Sequence, residues 1–396
     1  MLTTVAAARQ LLAATHLTPD TETVPFADCG GRILARPVTA DRDQPPFDRV
    51  AMDGIAIDYT AYAAGRRRFV VERLQPAGAA PEPLQIPTNC VEIMTGAALP
   101  PGVTTVIRYE DLERDGNAFV VPEGIEDGKS IHRRGKDITA GTELAPARRR
   151  IGPAEIGMLA SCGYTEVSVL RQLRVAVVAT GNELVAVDQQ PLDHQIRLSN
   201  VFQLAHLLER NGCVTTLHHF PDEQKTLRDR LADCLAASDL VVLSGGVSKG
   251  KLDFVPGVLT ELGVDKLFHG VAQRPGKPLF CGRWGRTMVF GLPGNPVSSL
   301  NCLIAYVLPW VRRCYGLPEP MVTARLTEDL TFRPDLTLFQ LVGLRSDPDT
   351  AELFATPVRN QGSGDATSLL RADGFLELPR GREVYRAGEV FGVRRM

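Results

Sequence analysis

The chain has 396 residues, with 44 Lys or Arg and 46 Asp or Glu, so its formal net charge at pH 7 is −2. This length allows two to four domains with buried cores, and the near-neutral charge excludes the basic surface typical of nucleic-acid-binding proteins. Neither a secretory leader pattern nor an apolar stretch of membrane-spanning length is present, and we expect a cytoplasmic protein. The eight cysteines have no CxxC spacing, which predicts reduced core thiols.

The first part of the chain predicts a helical domain interrupted by a β-rich one. Residues 3–15 have the pattern of an amphipathic helix that begins after a threonine, and residues 152–163 are helical again. Between them, short β-branched runs separated by Pro and Gly predict a small β-rich domain over residues 41–137. We therefore predict that residues 1–40 and 138–172 together form an N-terminal helical and linker domain that carries this insertion.

Strand and helix patterns alternate over residues 173–318. Apolar runs at Leu173–Thr180, Leu240–Leu243 and Met288–Phe290 are each followed by a glycine-containing turn. This alternation predicts a doubly wound, mainly parallel sheet. The last residues, 319–396, contain short strands separated by Pro, Gly and Asp, which predicts a small β-barrel. The expected fold class is therefore multidomain, with α/β and all-β parts.

Two of the turns have the composition of an anion-binding site. SGGVSKGKLDF (Ser244–Phe254) and RPGKPLFCG…VFGLPGNPVSS (Arg274–Ser299) each combine an apolar run, glycines and a helix-starting residue. Such turns leave backbone N–H groups unpaired at the positive end of a helix, which suits a phosphate or another oxyanion. Doubly wound sheets bind ligands beyond the carboxyl ends of their strands, where both turns fall. We predict a site for an anionic, phosphorylated ligand together with a metal.

Cations and a helix start lie within the second turn. Lys277 stands between Gly and Pro, where a lysine has little packing use, and we predict that it binds the oxyanion. Arg274 would serve as a bidentate partner for the same group. Asn295 and Pro296 form a helix-start pair, with Asn as the N-cap, which aims the following helix at an anion. Ser298 could add a hydroxyl.

The carboxylates near the turns have structural as well as functional interpretations. Asp253 is either a helix N-cap or a ligand that holds Mg²⁺ against a phosphoryl oxygen. Asp222, in FPDEQ, is either a cap, which the pattern alone favours, or a second carboxylate for the metal or for water. These alternatives stay open on the residues alone.

Seven motifs together resemble one known family. They are PPFDRVAMDGIAI, EIMTGAALPPG, RRGKDI, VVATGNELV, SGGVS, RPGKP and GLPGNPVS, and they run in the family's order from about residue 3 to the C-terminus. The chain resembles the molybdopterin molybdenumtransferase family, known as MoeA and, in animals, as the gephyrin E domain. The resemblance implies an enzyme that inserts molybdate into adenylated molybdopterin and releases AMP in a Mg²⁺-dependent step. It also implies an elongated homodimer of four-domain chains.

The resemblance assigns roles that the local pattern does not. Asp53 in AMDG and Thr95 in MTGA otherwise read as turn residues, but the corresponding family positions reach the active site across the dimer interface. Asp137 in GKDI matches another family carboxylate, with a turn role as its alternative. Glu183 in TGNEL would contact a ribose hydroxyl, a pterin N–H or the metal, and Ser363 in QGSGD falls at an oxyanion-contacting serine.

The complete predicted site has three parts, which partly overlap. The catalytic positions are Asp53, Thr95, Asp137, Glu183, Asp222 and Asp253. Asp222 and Asp253 are also the predicted metal ligands. The ligand-binding positions are Ser244, Gly245, Gly246, Ser248, Arg274, Lys277, Pro278, Pro293, Asn295, Pro296, Ser298 and Ser363.

Two positions depart from the family pattern. Gly270 stands where many members have a lysine, and Leu341 aligns best with an arginine that the family uses near molybdate. Arg345 or Arg359 could substitute for that arginine. The departures predict that molybdate is bound with fewer cations than usual, or from different positions.

Two functions other than molybdenum insertion stay open. One is adenylation of molybdopterin, or a related nucleotide hydrolysis, on the same fold; the β-rich insertion and the barrel favour the insertion step instead. The other is a non-catalytic scaffold, since animal relatives also anchor receptors; the joint presence of Asp222, Asp253 and Lys277 favours an enzyme. We expect a homodimer, with a molybdopterin adenylyltransferase and molybdoenzyme maturation factors as candidate partners, and neither nucleic acid nor membrane.

Overall fold

The computed structural model describes residues 2–247, 254–320 and 322–396. The chain forms two compact units: one comprises Met1–Val24, Gly31–Ala35 and Ser168–Met396, and the other Pro25–Gly30 and Arg36–Val167. Within the described ranges, no helix has the length and apolar character needed to cross a lipid bilayer. All eight cysteines fall in these ranges; each is buried, as predicted, and none is part of a disulfide bond.

The smaller unit is built on a six-stranded mixed sheet. Its alternating residues pack on both sides: Ile55 and Ile57 belong to one core with Phe69, while Ala56 belongs to a second core with Val106. The unit also contains the helices Tyr59–Ala63 and Pro153–Ser161. The strand order across the sheet is Thr105–Arg108, Gly54–Ile57, Cys90–Ile93, Arg68–Gln75, Ala118–Val120 and Glu113–Asp115.

Two further strand pairs complete the smaller unit. Ile131–His132 pairs with Arg49–Val50, and Glu143–Ala145 pairs with Val38–Thr39, both antiparallel. The unit thus extends on both sides of the predicted insertion. The division of the chain into four domains at residues 40, 137, 172 and 318 stays a prediction.

The larger unit contains the doubly wound sheet, which confirms the predicted fold class. Four parallel strands are followed by two strands that join the sheet through antiparallel pairings. The strand Leu173–Thr180 is apolar throughout because both of its faces are covered: Val175 and Val177 pack into one core, and Ala176 and Val178 into another. The strand order is Cys213–Phe220, Leu173–Thr180, Leu240–Ser244, Thr287–Leu292, Phe280–Trp284 and Asp265–His269.

Helices cover both faces of this sheet. The helical stretch that begins at Pro296 is divided: a five-residue π-helical segment, Leu303–Val307, separates two short α-helices. All three pieces are buried along their inner side. The helices of the larger unit are Val5–Ala13, Asn200–Arg210, Gln224–Ala237, Val255–Glu261, Pro296–Cys302 and Leu308–Cys314.

The C-terminal strands form the predicted small barrel. Five strands close on themselves, because Thr337–Ser346 pairs with Leu353–Pro357 on one side and with Gly374–Leu378 on the other. The remaining two strands of the barrel are Val322–Leu326 and Val390–Arg395. A two-residue strand from the α/β domain, Gln273–Arg274, adds in parallel to the barrel strand that begins at Thr337. This pairing fixes the start of the RPGK turn against the barrel. The short strands Leu330–Thr331 and Val384–Tyr385 pair beside it.

The amino edge of the large sheet is held by a carboxylate. Asp239 accepts two hydrogen bonds from the Arg171 guanidinium, at 2.8 and 3.0 Å, and one from the Arg174 backbone N–H at 2.7 Å. Its own carbonyl accepts from Met288 N, so one residue joins the starts of three strands. Burial alone would raise the pKa of Asp239, but the bonds from Arg171 and Arg174 outweigh it and hold this pKa below its usual range.

Replacing Asp239 with Asn is expected to lower the Tm at pH 7 by roughly 4–8 °C, because charge-assisted hydrogen bonds to a mostly buried group are lost. A carboxyl with a depressed folded-state pKa stabilises the fold above its unfolded pKa of about 3.9, and this contribution is lost as the pH falls through the folded value. The difference in Tm between wild type and Asp239→Asn should therefore shrink below about pH 4. Calorimetry at pH 7 and below about pH 4 measures this difference in Tm. Asp229→Asn, on an exposed helix face, is the control, and an equal loss there would contradict the assignment.

Candidate active site

A cavity of about 650 Å³ lies at the carboxyl edge of the large sheet. It is lined by Thr180 and Ser244, the last residues of two neighbouring parallel strands, and by Pro293, which follows the end of a third. The structure brings together here nine of the residues that the sequence predicted, from turns that lie more than a hundred residues apart. They are Glu183, Asp222, Ser244, Gly245, Gly246, Pro278, Pro293, Asn295 and Pro296. Ser248 and Asp253, also predicted for this site, lie outside the described residues.

The first turn needs glycine for two physical reasons. Gly245 and Gly246 have φ values of +104° and +65°, which side-chain-bearing residues rarely adopt. The turn also packs tightly on the strand end: a Cβ on Gly245 would lie 2.8 Å from the Thr180 carbonyl oxygen, and one on Gly246 would lie 2.8 Å from Thr180 Oγ1. Gly245 N donates to Leu292 O at 3.1 Å, which joins this turn to the neighbouring strand.

Two contributors to the cavity were missed in the sequence. Asn200 Nδ2 donates to Ser244 Oγ at 2.9 Å and to Gly294 O at 2.7 Å, so one side chain ties the two glycine turns together. Thr180 is buried, and its hydroxyl has no hydrogen-bond partner among the described residues. The only local signal was the position of Thr180 at a predicted strand end and of Asn200 at a predicted helix start.

Glu183 and Asp222 supply carboxylates to the same cavity. Asp222 is not a helix cap: the helix Gln224–Ala237 begins two residues later, with Glu223 at the N-cap position. The backbone N–H of Asp222 donates to Asn182 Oδ1 at 3.1 Å, which links the two carboxylate-bearing loops. The Glu183 carboxylate lies over Gly181, where a Cβ would come within 2.5 Å of its Oε2.

These two carboxylates fit Mg²⁺ bound through a substrate. Among the described residues, no group of three or more His, Cys, Asp and Glu side chains is arranged to hold a metal ion. Mg²⁺ is commonly held by one or two carboxylates together with substrate phosphate oxygens and water, and it does not need an all-protein cage. A carboxylate pair beside an anion-binding turn therefore matches its requirements.

A second cavity, of about 530 Å³, adjoins the first. Pro278, Pro293 and Asn295 line both of them. The predicted cations Arg274 and Lys277 line this second cavity and are exposed, and the buried Ser298 and partly buried Ser363 line it as well. The predicted phosphate-type site and the predicted oxyanion site are thus neighbours.

Asn295 does not cap its helix as predicted. Its side chain makes no capping hydrogen bond; instead, Asn295 Nδ2 donates to Ser363 Oγ at 2.9 Å. The Ser363 carbonyl in turn accepts from Val297 N at 3.1 Å. The amide is therefore used to hold the barrel's QGSGD turn at the border of the two cavities. Asn295 and Ser363 are 68 residues apart, so no local sequence pattern indicates this contact.

Both departures from the family pattern have a structural setting. Gly270 has φ +90°, and a Cβ there would lie 2.9 Å from Leu2 Cδ2, so a lysine would be strained in this backbone. Leu341 is 2 % exposed; it packs into the apolar core with Phe339 and Phe375 and also lines the second cavity. An arginine at Leu341 would start from a buried position beside this cavity, and an anion bound in the cavity would be the partner that its charge requires.

The two proposed substitutes for that arginine differ in position. Arg359 directly precedes Asn360, which lines the second cavity. The carbonyl of Arg359 accepts a hydrogen bond from Arg371 Nη2 at 3.1 Å. Arg345 lies towards the end of the long barrel strand and lines neither cavity. Arg359 is therefore the better-placed of the two.

Asp53, Thr95 and Asp137 belong to the smaller unit. Asp53 Oδ1 accepts from Thr95 N at 2.6 Å, and bonds from the Thr95 side chain and backbone lower the pKa of Asp53. The next residue, Gly54, cannot carry a side chain, since a Cβ would lie 1.9 Å from Ile107 O. Asp137 contacts His132 Nε2 at 2.8 Å. The structure thus brings Asp53 and Thr95 together and places Asp137 on a separate turn.

The fold and cavities define a multidomain α/β protein with adjoining polar cavities at the carboxyl edge of its large sheet. Three family models match the chain: the MoeA N-terminal region (domains I and II) at residues 3–163, a probable molybdopterin-binding domain at 176–313, and the MoeA C-terminal region (domain IV) at 323–394. These matches account for nearly the whole length.

Similar proteins agree with the family models. The chain is 38% identical over 366 residues to a molybdopterin molybdenumtransferase of Synechocystis sp., covering 91% of each chain. It is 32% identical to the Bacillus subtilis protein of the same name, covering 94% of this chain and 89% of the relative. A crystal structure of a molybdopterin biosynthesis MoeA protein from Pyrococcus horikoshii superposes with a TM-score of 0.85 at 29% identity, covering 100% and 99%. The chain therefore belongs to the molybdopterin molybdenumtransferase family, whose members are transferases of molybdenum cofactor biosynthesis, and this prediction is confirmed.

Proposed function

We propose that this transferase inserts molybdate into adenylated molybdopterin with the help of Mg²⁺ and releases AMP. The observation that carries the proposal is the shared border of the two cavities, formed by Pro278, Pro293 and Asn295. A ligand with a pyrophosphate can lie against the glycine turns while its other end reaches an oxyanion at Arg274 and Lys277. A site for a single anion would not need both cavities.

The first cavity would hold the pyrophosphate linkage. Ser244, Gly245 and Gly246 stand at the end of the central strand, where backbone N–H groups suit phosphoryl oxygens. Asp222 and Glu183 would hold Mg²⁺ from the protein side, with Asp253 as a further predicted ligand. When bound, the ion neutralises charge that develops on the phosphoryl oxygens as the linkage breaks.

The second cavity would hold molybdate. Arg274 offers a planar fork of donors and Lys277 a compact charge, and Ser363 adds a hydroxyl whose orientation is set by Asn295. Ser298 is only 4 % exposed, so it would contribute at the wall of the cavity. A tetrahedral dianion needs donors from several directions, and residues of the α/β domain and the barrel supply them together.

An assay of AMP release tests the proposal directly. Purified protein is incubated with adenylated molybdopterin and Mg²⁺, with and without molybdate, and AMP and dithiolene-bound molybdenum are both measured. The proposal requires AMP release together with molybdenum incorporation. Formation of adenylated molybdopterin from ATP without incorporation would support the adenylyltransferase alternative, and the absence of both reactions would support a scaffold.

We further propose that the enzyme acts as a homodimer, in which Asp53 and Thr95 of one chain complete the site of the other. Asp53→Ala and Asp222→Ala should each be nearly inactive alone. A mixture of the two chains should regain part of the activity, because some mixed dimers carry one intact site. Activity after mixing, with subunit exchange followed by mass spectrometry, measures this. A monomer in light scattering, or no recovery despite exchange, would contradict the proposal. A molybdopterin adenylyltransferase and molybdoenzyme maturation factors remain candidate partners.

A further inference from the structure

A buried polar network lies behind the RPGK turn. Gln273, which directly precedes the turn, is completely buried. Its Nε2 donates to Gly276 O at 3.1 Å, and its Oε1 accepts from the hydroxyl of Tyr306. Tyr306 is also completely buried and belongs to the π-helical segment Leu303–Val307. None of these side chains was assigned a function, although polar groups this deep are retained only where their hydrogen bonds matter.

Three consecutive carbonyl groups of the turn are bound by this interior. Pro275 O accepts from Asn301 Nδ2 at 3.3 Å. Gly276 O accepts from Gln273 and from the Cys302 thiol. Lys277 O accepts from Val271 N at 2.8 Å. The turn therefore directs its acceptors away from the cavity.

The donors of the turn consequently face the other way. In a trans peptide the carbonyl oxygen and the following N–H lie on opposite sides of the chain, and the peptides before Gly276 and Lys277 are trans. The N–H groups of Gly276 and Lys277 have no partner within the described part of the chain. An anion is repelled by carbonyl oxygens and attracted by N–H groups. The orientation of two peptide planes thus decides whether this surface attracts or repels an oxyanion.

The turn also has no freedom to move inward. Gly276 has φ +90°, and a Cβ there would lie 2.5 Å from Cys302 Sγ and 2.9 Å from Gln273 Nε2. Burial raises the pKa of Tyr306 and of Cys302, so both remain neutral donors at physiological pH. The donors that orient the turn are therefore constant in charge.

We propose that Gln273, Tyr306 and Asn301 are positioning residues of the molybdate site, which act by holding the RPGK turn with its N–H groups and its two cations towards the cavity. Tyr306 and Asn301 line neither cavity, and Gln273, at the edge of the second cavity, is completely buried. The inference rests on the proposed function, since it takes molybdate as the bound oxyanion, and it extends that function to a layer of residues behind the site.

Molybdate binding to the full-length protein, measured by titration calorimetry without any pterin, tests the inference. Asn301→Ala frees the Pro275 carbonyl, and Tyr306→Phe removes the hydroxyl that orients the Gln273 amide towards the Gly276 carbonyl. Each variant should raise the Kd for molybdate on the order of tenfold. In turnover, the KM for molybdate should rise while kcat at saturating molybdate and the KM for adenylated molybdopterin stay within about twofold.

Tyr315→Phe is the matched control. Tyr315 is equally buried, and its hydroxyl accepts from Leu173 N at 2.8 Å and donates to Gly212 O at 2.6 Å, at the opposite edge of the same sheet. It should lose similar stability without changing the Kd for molybdate. Lys277→Ala serves as the positive control, because it removes a direct contact.

The outcomes separate the two proposals. If folded Tyr306→Phe and Asn301→Ala bind molybdate like wild type while Lys277→Ala does not, the positioning role is wrong and the proposed function stands. If Tyr315→Phe weakens binding as much as they do, the effect is general destabilisation and the inference is equally overturned. If wild type binds no molybdate, both proposals fall. If Tyr306→Phe does not fold, Asn301→Ala decides alone, since it acts on a different carbonyl.

Discussion

Replacing Asp222 with Asn is expected to slow AMP release by about a hundredfold or more. The substitution keeps the shape of the side chain and removes its charge. The Asp222 backbone stays anchored to Asn182 Oδ1, so the loop should not move. The substitution removes a carboxylate from the cavity where we expect the pyrophosphate and its Mg²⁺ to bind. Metal-mediated stabilisation of a phosphoryl group lowers the activation free energy by several kcal/mol. Single-turnover AMP release at saturating substrate is the measurement.

The neighbouring carboxylate provides the control for this experiment. Glu223 is adjacent in sequence but does not line the cavity; its Oε2 accepts from Thr226 Oγ1 at the helix start. Glu223→Gln should therefore retain nearly full activity. A higher Mg²⁺ concentration should partly restore Asp222→Asn, because a weakened ion site can be refilled. Near wild-type rates for Asp222→Asn, or equal losses in both variants, would remove Asp222 from the site.

Much of the fold follows from patterns that are local in sequence. Leu173–Thr180 and Leu240–Ser244 are apolar throughout because helices cover both faces of the sheet, and such runs predict buried parallel strands. The long segment after Pro296 was harder. Leu303–Val307 has nothing in its composition that distinguishes a π-helical segment from an α-helix. The pairing of Gln273–Arg274 with the barrel was likewise hidden, since two polar residues before a proline carry no strand signal.

The site was predictable where topology alone assembles it. Glycine turns after parallel strands must meet at one edge of the sheet, so Ser244, Gly245 and Asn295 were found without knowing any contact. Asn200 was missed because its partners Ser244 and Gly294 are 44 and 94 residues away. Gln273 and Tyr306 were missed for the same reason, because the buried hydrogen bond between them joins residues that are 33 positions apart in the sequence. Long-range side-chain contacts leave no local pattern.

The two departures from the family pattern, Leu341 and Gly270, stay predictions about molybdate binding. Alignment with a family arginine suggested that a cation had been lost from the molybdate site. Leu341 packs in the apolar core with Phe375 and lines the second cavity without adding a charge, and Gly270 has a backbone conformation that suits glycine. The positive charge at the second cavity therefore depends mainly on the RPGK turn.

Replacing Lys277 with Ala is accordingly expected to raise the molybdate concentration needed for half-maximal turnover by roughly ten- to a hundredfold. Charge-assisted hydrogen bonds contribute about 1.5–3 kcal/mol each, which corresponds to a loss of affinity of roughly ten- to a hundredfold. With Leu341 buried and Gly270 lacking a side chain, only Arg274 is left in the turn to compensate. Initial rates over a wide range of molybdate concentrations, together with calorimetric Kd values, measure the effect.

Two companion variants make the Lys277 result specific. Lys266→Ala removes an equally charged, exposed side chain from the edge strand Asp265–His269 and should leave the Kd for molybdate unchanged, which controls for net charge. Lys277→Arg keeps the charge but replaces a compact ammonium with a planar fork, so it should recover part of the affinity. If Lys277→Ala binds molybdate as tightly as wild type, the oxyanion is held elsewhere. Arg359, beside the second cavity, then becomes the first residue to replace, because Arg345 lines neither cavity.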